Sequence, residues 1–227
     1  MTGDRGSEDM DAAMRVAVID IGTNSTRLLI ADVEHPGVYE VERRTTVTNM
    51  GRGVDHTGMI CSDAVEDVCA VISDYKACYE EMETDRVMAI ATSAVRDAVN
   101  GEAFIAELRE RFDLDTRMLT GEEEAHLTYL GATAHRPAAE PTLVFDIGGG
   151  STELIVGTGG EVGFHTSLQA GTIRQSERHL TADPPDPHEL EDLAADIRTL
   201  IERATCAVRS SGGGGRQAIQ NGPGRAR

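Results

Sequence analysis

Two stretches of this 227-residue chain are near copies. Residues 20–30 read DIGTNSTRLLI and residues 146–156 read DIGGGSTELIV, identical at six of eleven positions at an offset of 126. A repeated segment of this kind marks a repeated structural unit. Each copy follows an apolar run, Val16 to Ile19 in the first and Leu143 to Phe145 in the second, and precedes another apolar or alternating run. Each copy therefore predicts strand, tight polar turn, strand, and the chain predicts two related lobes.

Val38 to Thr48 alternates β-branched and polar residues and ends at Gly51 and Gly53, which predicts a third antiparallel strand. Val65, Val68, Cys69, Ile72, Tyr75, Tyr79 and Met82 recur at helical spacing. A short apolar strand (Val87 to Ala91), a helix carrying Phe104, Ile105 and Leu108, a strand near Thr116 to Leu119 and a helix over about 122–132 complete the order βββαβαβα. Residues 14–134 thus form the first lobe, and the proline-bearing stretch 135–141 is a linker. The second lobe starts the same order, with strands at 142–146, 152–157 and 161–167, a helix near 172–180 and a long helix from about residue 188.

The repeat then breaks off. Residues 203–227 hold five arginines and no acid, whereas the preceding residues hold 16 bases and 39 acids. The glycine-rich run SSGGGG cannot supply the strand and helices the repeat demands next. The expectation is a partial second lobe over 142–205, a Gly/Arg-rich disordered tail over 206–227 and a disordered start over 1–13. A frameshift or premature end in the coding sequence accounts for the incomplete lobe; a natural flexible tail is the alternative. An incomplete lobe would leave a sheet edge and apolar faces uncovered, with low stability or aggregation as the consequence.

Composition narrows the function. The net charge is −18 and Lys76 is the single lysine, which argues against binding nucleic acid or an anionic membrane. No apolar run approaches eighteen residues, and the N-terminal stretch is acidic where a signal peptide would be basic, so a soluble cytoplasmic protein is expected. Cys61, Cys69, Cys78 and Cys206 include no CxxC pair and read as free thiols.

In the first turn, Gly22, Thr23, Asn24 and Ser25 offer backbone N–H groups and hydroxyls to an anion without any net charge. Gly148, Gly149, Gly150 and Ser151 repeat that arrangement, and Asp146 and Glu153 could place carboxylates near a divalent ion bridging the same anion, magnesium being the expected one. Either loop alone is equally an ordinary hairpin. Two of them at equivalent places predict facing hairpins that clamp a phosphate chain between the lobes.

Four segments in order, VIDIGTNS (18–25), ATSAVRD (91–97), TGEEEA (120–125) and FDIGGGSTEL (145–154), resemble the successive motifs of the exopolyphosphatase/guanosine pentaphosphate phosphatase family. The resemblance spans about residues 14–202. It implies an α/β ribonuclease H-like fold of the sugar kinase, heat-shock chaperone and actin superfamily, in two duplicated βββαβα-type lobes. It also implies that Glu124, with Glu123 as the adjacent second choice, is the general base that activates water, and that Arg96 braces a phosphate. Asp20, Asp146 and Glu153 would share Mg2+ with the substrate. Each has a plainer reading: acids belong in a first helical turn, an arginine at 96 can pair with Asp97 or Glu102, and strand-end aspartates cap turns. The function implied is hydrolysis of terminal phosphoanhydride bonds in polyphosphate or guanosine pentaphosphate by a possible homodimer. An ATP-dependent kinase or ATPase of the same superfamily, or an inactive polyphosphate- or alarmone-binding module, are the alternatives.

Overall fold

The computed structural model describes residues 13–211 except Pro36 and Ala138, with residues 206–211 as backbone only. A five-stranded sheet is built from β1 (Met14–Ile21), β2 (Ser25–Glu34), β3 (Gly37–Val47), β4 (Arg86–Ala91) and β5 (Thr116–Met118) in the order β3-β2-β1-β4-β5. The first three strands pair antiparallel, while β4 and β5 join β1 in parallel, the ribonuclease H-like arrangement. Parallel strands require a crossover. It is supplied by α1 (Val54–Thr57) and α2 (Ser62–Glu81), and then by α3 (Ser93–Asp97) and α4 (Gly101–Phe112).

Helix α2 buries Val68, Cys69, Ile72, Tyr75 and Tyr79, the stripe expected from its spacing. With Phe104, Ile105 and Leu108 of α4, this stripe covers the inward face of β1, β2 and β4. Among the cysteines, Cys69 and Cys78 pack in this core and Cys61 is exposed. No described helix is long and apolar enough to cross a membrane.

A second, three-stranded antiparallel sheet follows: β6 (Thr142–Ile147), β7 (Thr152–Thr158) and β8 (Glu161–Leu168), in that order. Helix α5 (Gly121–Thr133) belongs to the first lobe by chain order, yet its buried side chains, Ala125 and Tyr129, pack on Val144, Ile155 and Val162 of the second sheet. Gly157 makes room for the Tyr129 ring, since a Cβ there would lie 2.6 Å from Cζ. The helix thereby bridges the two lobes. Helix α6 (Thr172–His179) follows β8, and α7 (Pro187–Ser211) lays Leu200 and Ala204 on Leu154, Leu168 and Ala170. Helix α7 continues into the segment assigned to the tail; the disorder expected of 1–12 and 212–227 lies outside the described residues.

The two copies of the repeat differ in what covers them. Ala17, Ile19 and Ile21 of β1 are at most 1% exposed, but their equivalents on β6, Leu143, Phe145 and Ile147, are 53%, 62% and 65% exposed. Strand β1 has β4 on its far side, whereas β6 is a sheet edge among the described residues. The same sequence pattern should therefore carry different energies in the two lobes. Ile19→Ala is expected to cost roughly 2–5 kcal/mol in urea unfolding, and Phe145→Ala less than about 0.5 kcal/mol. Comparable losses at both positions would mean that the β6 face is covered in solution.

Candidate active site

The two copies form the same hairpin. Asp20 pairs with Arg27 and Ile21 with Thr26 in one, Asp146 with Glu153 and Ile147 with Thr152 in the other. In each, the first glycine closes the turn: Gly22 N–H donates to Ser25 O at 3.0 Å and Gly148 N–H to Ser151 O at 2.9 Å. Those two amides are thus spent inside the turns.

The other loop amides are set by what holds their carbonyls. In a trans peptide, the C=O of one residue and the N–H of the next point in opposite directions. Thr23 O accepts from Gly51 N–H at 2.8 Å, and Asn24 O from Thr48 and Asn49 at 3.1 and 3.0 Å. In the second loop, Gly148 O accepts from Thr172 at 2.9 Å, Gly149 O from Ile173 at 2.9 Å, and Gly150 O from Gly171 at 3.3 Å. The N–H groups of Asn24, Ser25, Gly149, Gly150 and Ser151 are consequently turned away from these supports, and their residues line the cleft between the loops. Such a set of donors is an anion cradle.

Glycine in the second loop serves close approach to the first lobe. A Cβ on Gly149 would lie 3.1 Å from Thr23 Cβ, and one on Gly150 would lie 2.9 Å from Thr23 Oγ1 and collide with Ser93 Oγ. Thr23 is anchored at the same spot by a 3.0 Å hydrogen bond between its hydroxyl and that of Ser93. Its hydroxyl positions the loop, leaving the backbone to present donors.

Between the loops lies a cleft of about 180 Å3, lined by Asp20, Glu124, Asp146 and Glu153 together with all eight predicted loop residues. Glu124, in the first turns of α5, accepts a 2.9 Å hydrogen bond from Arg96 Nη1, which also donates to Leu119 O at 2.9 Å. Burial pushes the Glu124 carboxyl above its ordinary value, the Arg96 guanidinium pulls it down, and Asp20 and Asp146 push it up again. Glu153, 3% exposed, is driven up to about 7 by burial and by Glu124 and Asp146, against the hydroxyls of Ser151 and Ser167. Between its ordinary 4.5 and about 7, the folded chain holds more proton at Glu153 than the unfolded chain does. Its contribution to stability therefore declines as pH rises through that window. Asp20 is raised too, by burial first, with Arg27 opposing and Asp146 reinforcing.

Glu123 is not brought to the cleft. Its carboxylate accepts from Thr120 N–H at 2.8 Å while Thr120 Oγ1 accepts from Glu123 N–H at 3.2 Å, a reciprocal cap on α5. Arg96 contacts Glu124 and does not line the cleft; Asp97 is held by Arg174 at 2.7 Å. Sequence reasoning missed Arg27, the one cationic side chain on the cleft wall among the described residues, 61% exposed and 3.8 Å from Asp20. The signal was available, because the repeat places Arg27 opposite Glu153 as a reversal of charge. Among the described residues, no three His, Cys, Asp or Glu side chains converge tightly enough to hold a metal ion by themselves.

Residues 29–221 match the Ppx/GppA phosphatase family, so the match runs past Glu202, where the motif resemblance stops. Exopolyphosphatase 2 of Mycobacterium tuberculosis is 37% identical over 209 residues, covering 88% of this chain and 64% of that protein. The chain thus spans less than two thirds of that relative's length. The crystal structure of an exopolyphosphatase-like protein superposes with a TM-score of 0.79 at 36% identity, over 85% of this chain and 61% of the other. An exopolyphosphatase from Cytophaga hutchinsonii gives 0.79 at 26% identity, over 87% and 64%.

Proposed function

On the premise that the chain belongs to the Ppx/GppA phosphatase family, we propose that its cleft hydrolyses the terminal phosphoanhydride bond of inorganic polyphosphate. The observation that carries this reading is Glu124, a carboxylate 16% exposed and held by Arg96, on the wall of the same cleft as the two loops. The amides of Asn24, Ser25, Gly149, Gly150 and Ser151 bind the phosphate oxygens, and Arg27 adds a charge-assisted contact on the wall. Glu124 takes a proton from water as the water oxygen attacks the terminal phosphorus. The bridging P–O bond breaks, and orthophosphate leaves a chain one unit shorter.

Asp20, Glu124 and Glu153, each raised by burial and by neighbouring carboxylates, call for a cation where an anionic substrate must enter. Asp20, Asp146 and Glu153 are hard oxygen donors that suit magnesium when water and substrate complete its shell. They would hold it at the phosphate, and the ion would neutralise charge developing on the phosphoryl oxygens.

The test is orthophosphate release from long-chain polyphosphate with magnesium. Orthophosphate without intermediate fragments, lost on chelation, is expected. A parallel assay with guanosine pentaphosphate reads the second substrate of the family's name. Consumption of ATP in its place would favour a kinase or ATPase, and saturable polyphosphate binding without release would favour a binding module.

A further inference from the structure

Arg174 sits in the first turn of α6, outside the cleft, and its side chain is 10% exposed. Its Nε donates to Gly150 O at 2.7 Å, Nη1 binds Asp55 of α1, and Nη2 binds Asp97 Oδ2 of α3 at 2.7 Å. One guanidinium therefore connects the second loop to two elements of the first lobe. Those elements bear on the site directly. Helix α3 carries Ser93, which anchors Thr23 of the first loop, and Arg96, which holds Glu124. A planar fork of donors can make such a three-way bridge; a lysine ammonium is a single point charge.

Nearby Arg178 provides an internal contrast. It binds Asp55 through Nη2 at 2.8 Å and does not touch the loop. Gly53 N–H donating to Glu177 Oε1 at 3.0 Å strengthens the same seam. The clasp as a whole joins the lobes, but only Arg174 reaches the phosphate loop.

We propose that Arg174 is a positioning residue that fixes the spacing between the two phosphate loops, so that it governs turnover rather than lobe association. This rests on the hydrolytic reading of the cleft for its kinetic consequence, but not for its structural one. Misplacing reacting groups by about 1 Å can cost about 100-fold in rate, and losing Arg174 removes the side-chain tether on Gly150 O, leaving that carbonyl only its 3.3 Å backbone bond from Gly171.

The experiment compares the chain with Arg174→Lys, Asp97→Asn and Arg178→Lys, after urea unfolding has established that each is folded. Amide hydrogen exchange over 146–151 and kinetics on tripolyphosphate are both measured. Arg174→Lys is expected to lower kcat by about 100-fold with KM changed far less, and to speed exchange in the second loop. Asp97→Asn should do the same more weakly, and serves if Arg174→Lys does not fold. Arg178→Lys should leave loop exchange and kcat near their original values. Equal effects at Arg174 and Arg178, or unchanged loop exchange in Arg174→Lys, overturns the proposal. If the unsubstituted chain hydrolyses nothing, the hydrolytic reading fails, while loop exchange still decides the positioning role.

Discussion

Glu124→Gln is expected to abolish most of the turnover, lowering kcat by about 10²–10⁴-fold with little change in KM. Glutamine keeps the shape and can still face Arg96, but it cannot take the proton from attacking water. The loops and Arg27 continue to bind the phosphate chain, so affinity survives. Glu123→Gln should instead loosen the cap on α5 and leave kcat within a few-fold, because its carboxylate is occupied by Thr120. Equal losses at the two positions would sink the assignment of the base.

The pH profile carries the same claim. Hydrolysis requires ionised Glu124, so activity falls as pH drops through its folded-state value, which burial and the neighbouring Asp20 and Asp146 have raised. The acidic limb should accordingly lie above the ordinary carboxylate range. Arg96→Met removes the one group that lowers it, and should move that limb to higher pH as well as weakening turnover. An acidic limb that stays put in Arg96→Met would show that another group sets it.

Much of this was legible because short-range patterns decide it. The hairpins follow from apolar runs flanking a polar turn, α2 from a stripe at helical spacing, and their pairing into lobes from the repeat. The separate fates of Glu123 and Glu124 were also readable, since Thr120 and Glu123 stand at the spacing of a capping box. What could not be read depends on tertiary partners. Ala125 and Tyr129 announce a buried helix face without saying that it lies on the second sheet, and Leu143, Phe145 and Ile147 read like a core strand although they are exposed. Helices α1 and α3 are too short to show a period, and the Asp55, Asp97, Arg174 and Arg178 clasp joins residues from three distant segments. Gly149 and Gly150 make room for Thr23 and Ser93, neighbours that no local pattern names.

Backbone approaches the second loop most closely at Gly171, which lies outside both repeats. A Cβ there would collide with the carbonyl carbons of Gly149 and Gly150, and these obstacles are backbone, with no side chain to swing aside. Gly171→Ala must therefore displace the second loop from α6 and stretch the Gly171 N–H to Gly150 O contact, which is already 3.3 Å. The strain should cost about 1–3 kcal/mol of stability, and the shifted amides about 100-fold in kcat. Gly131 supplies the control, because it lies within α5 with open space where a Cβ would go. The identical change there should stabilise the chain by about 0.5–1 kcal/mol through helix propensity and leave turnover alone. Urea unfolding and tripolyphosphate kinetics on the two variants read both signs. A Gly171→Ala chain that is as stable and as active as the original would mean that the second loop is not held by α6 in the way its backbone contacts indicate, and the cradle itself would need another explanation.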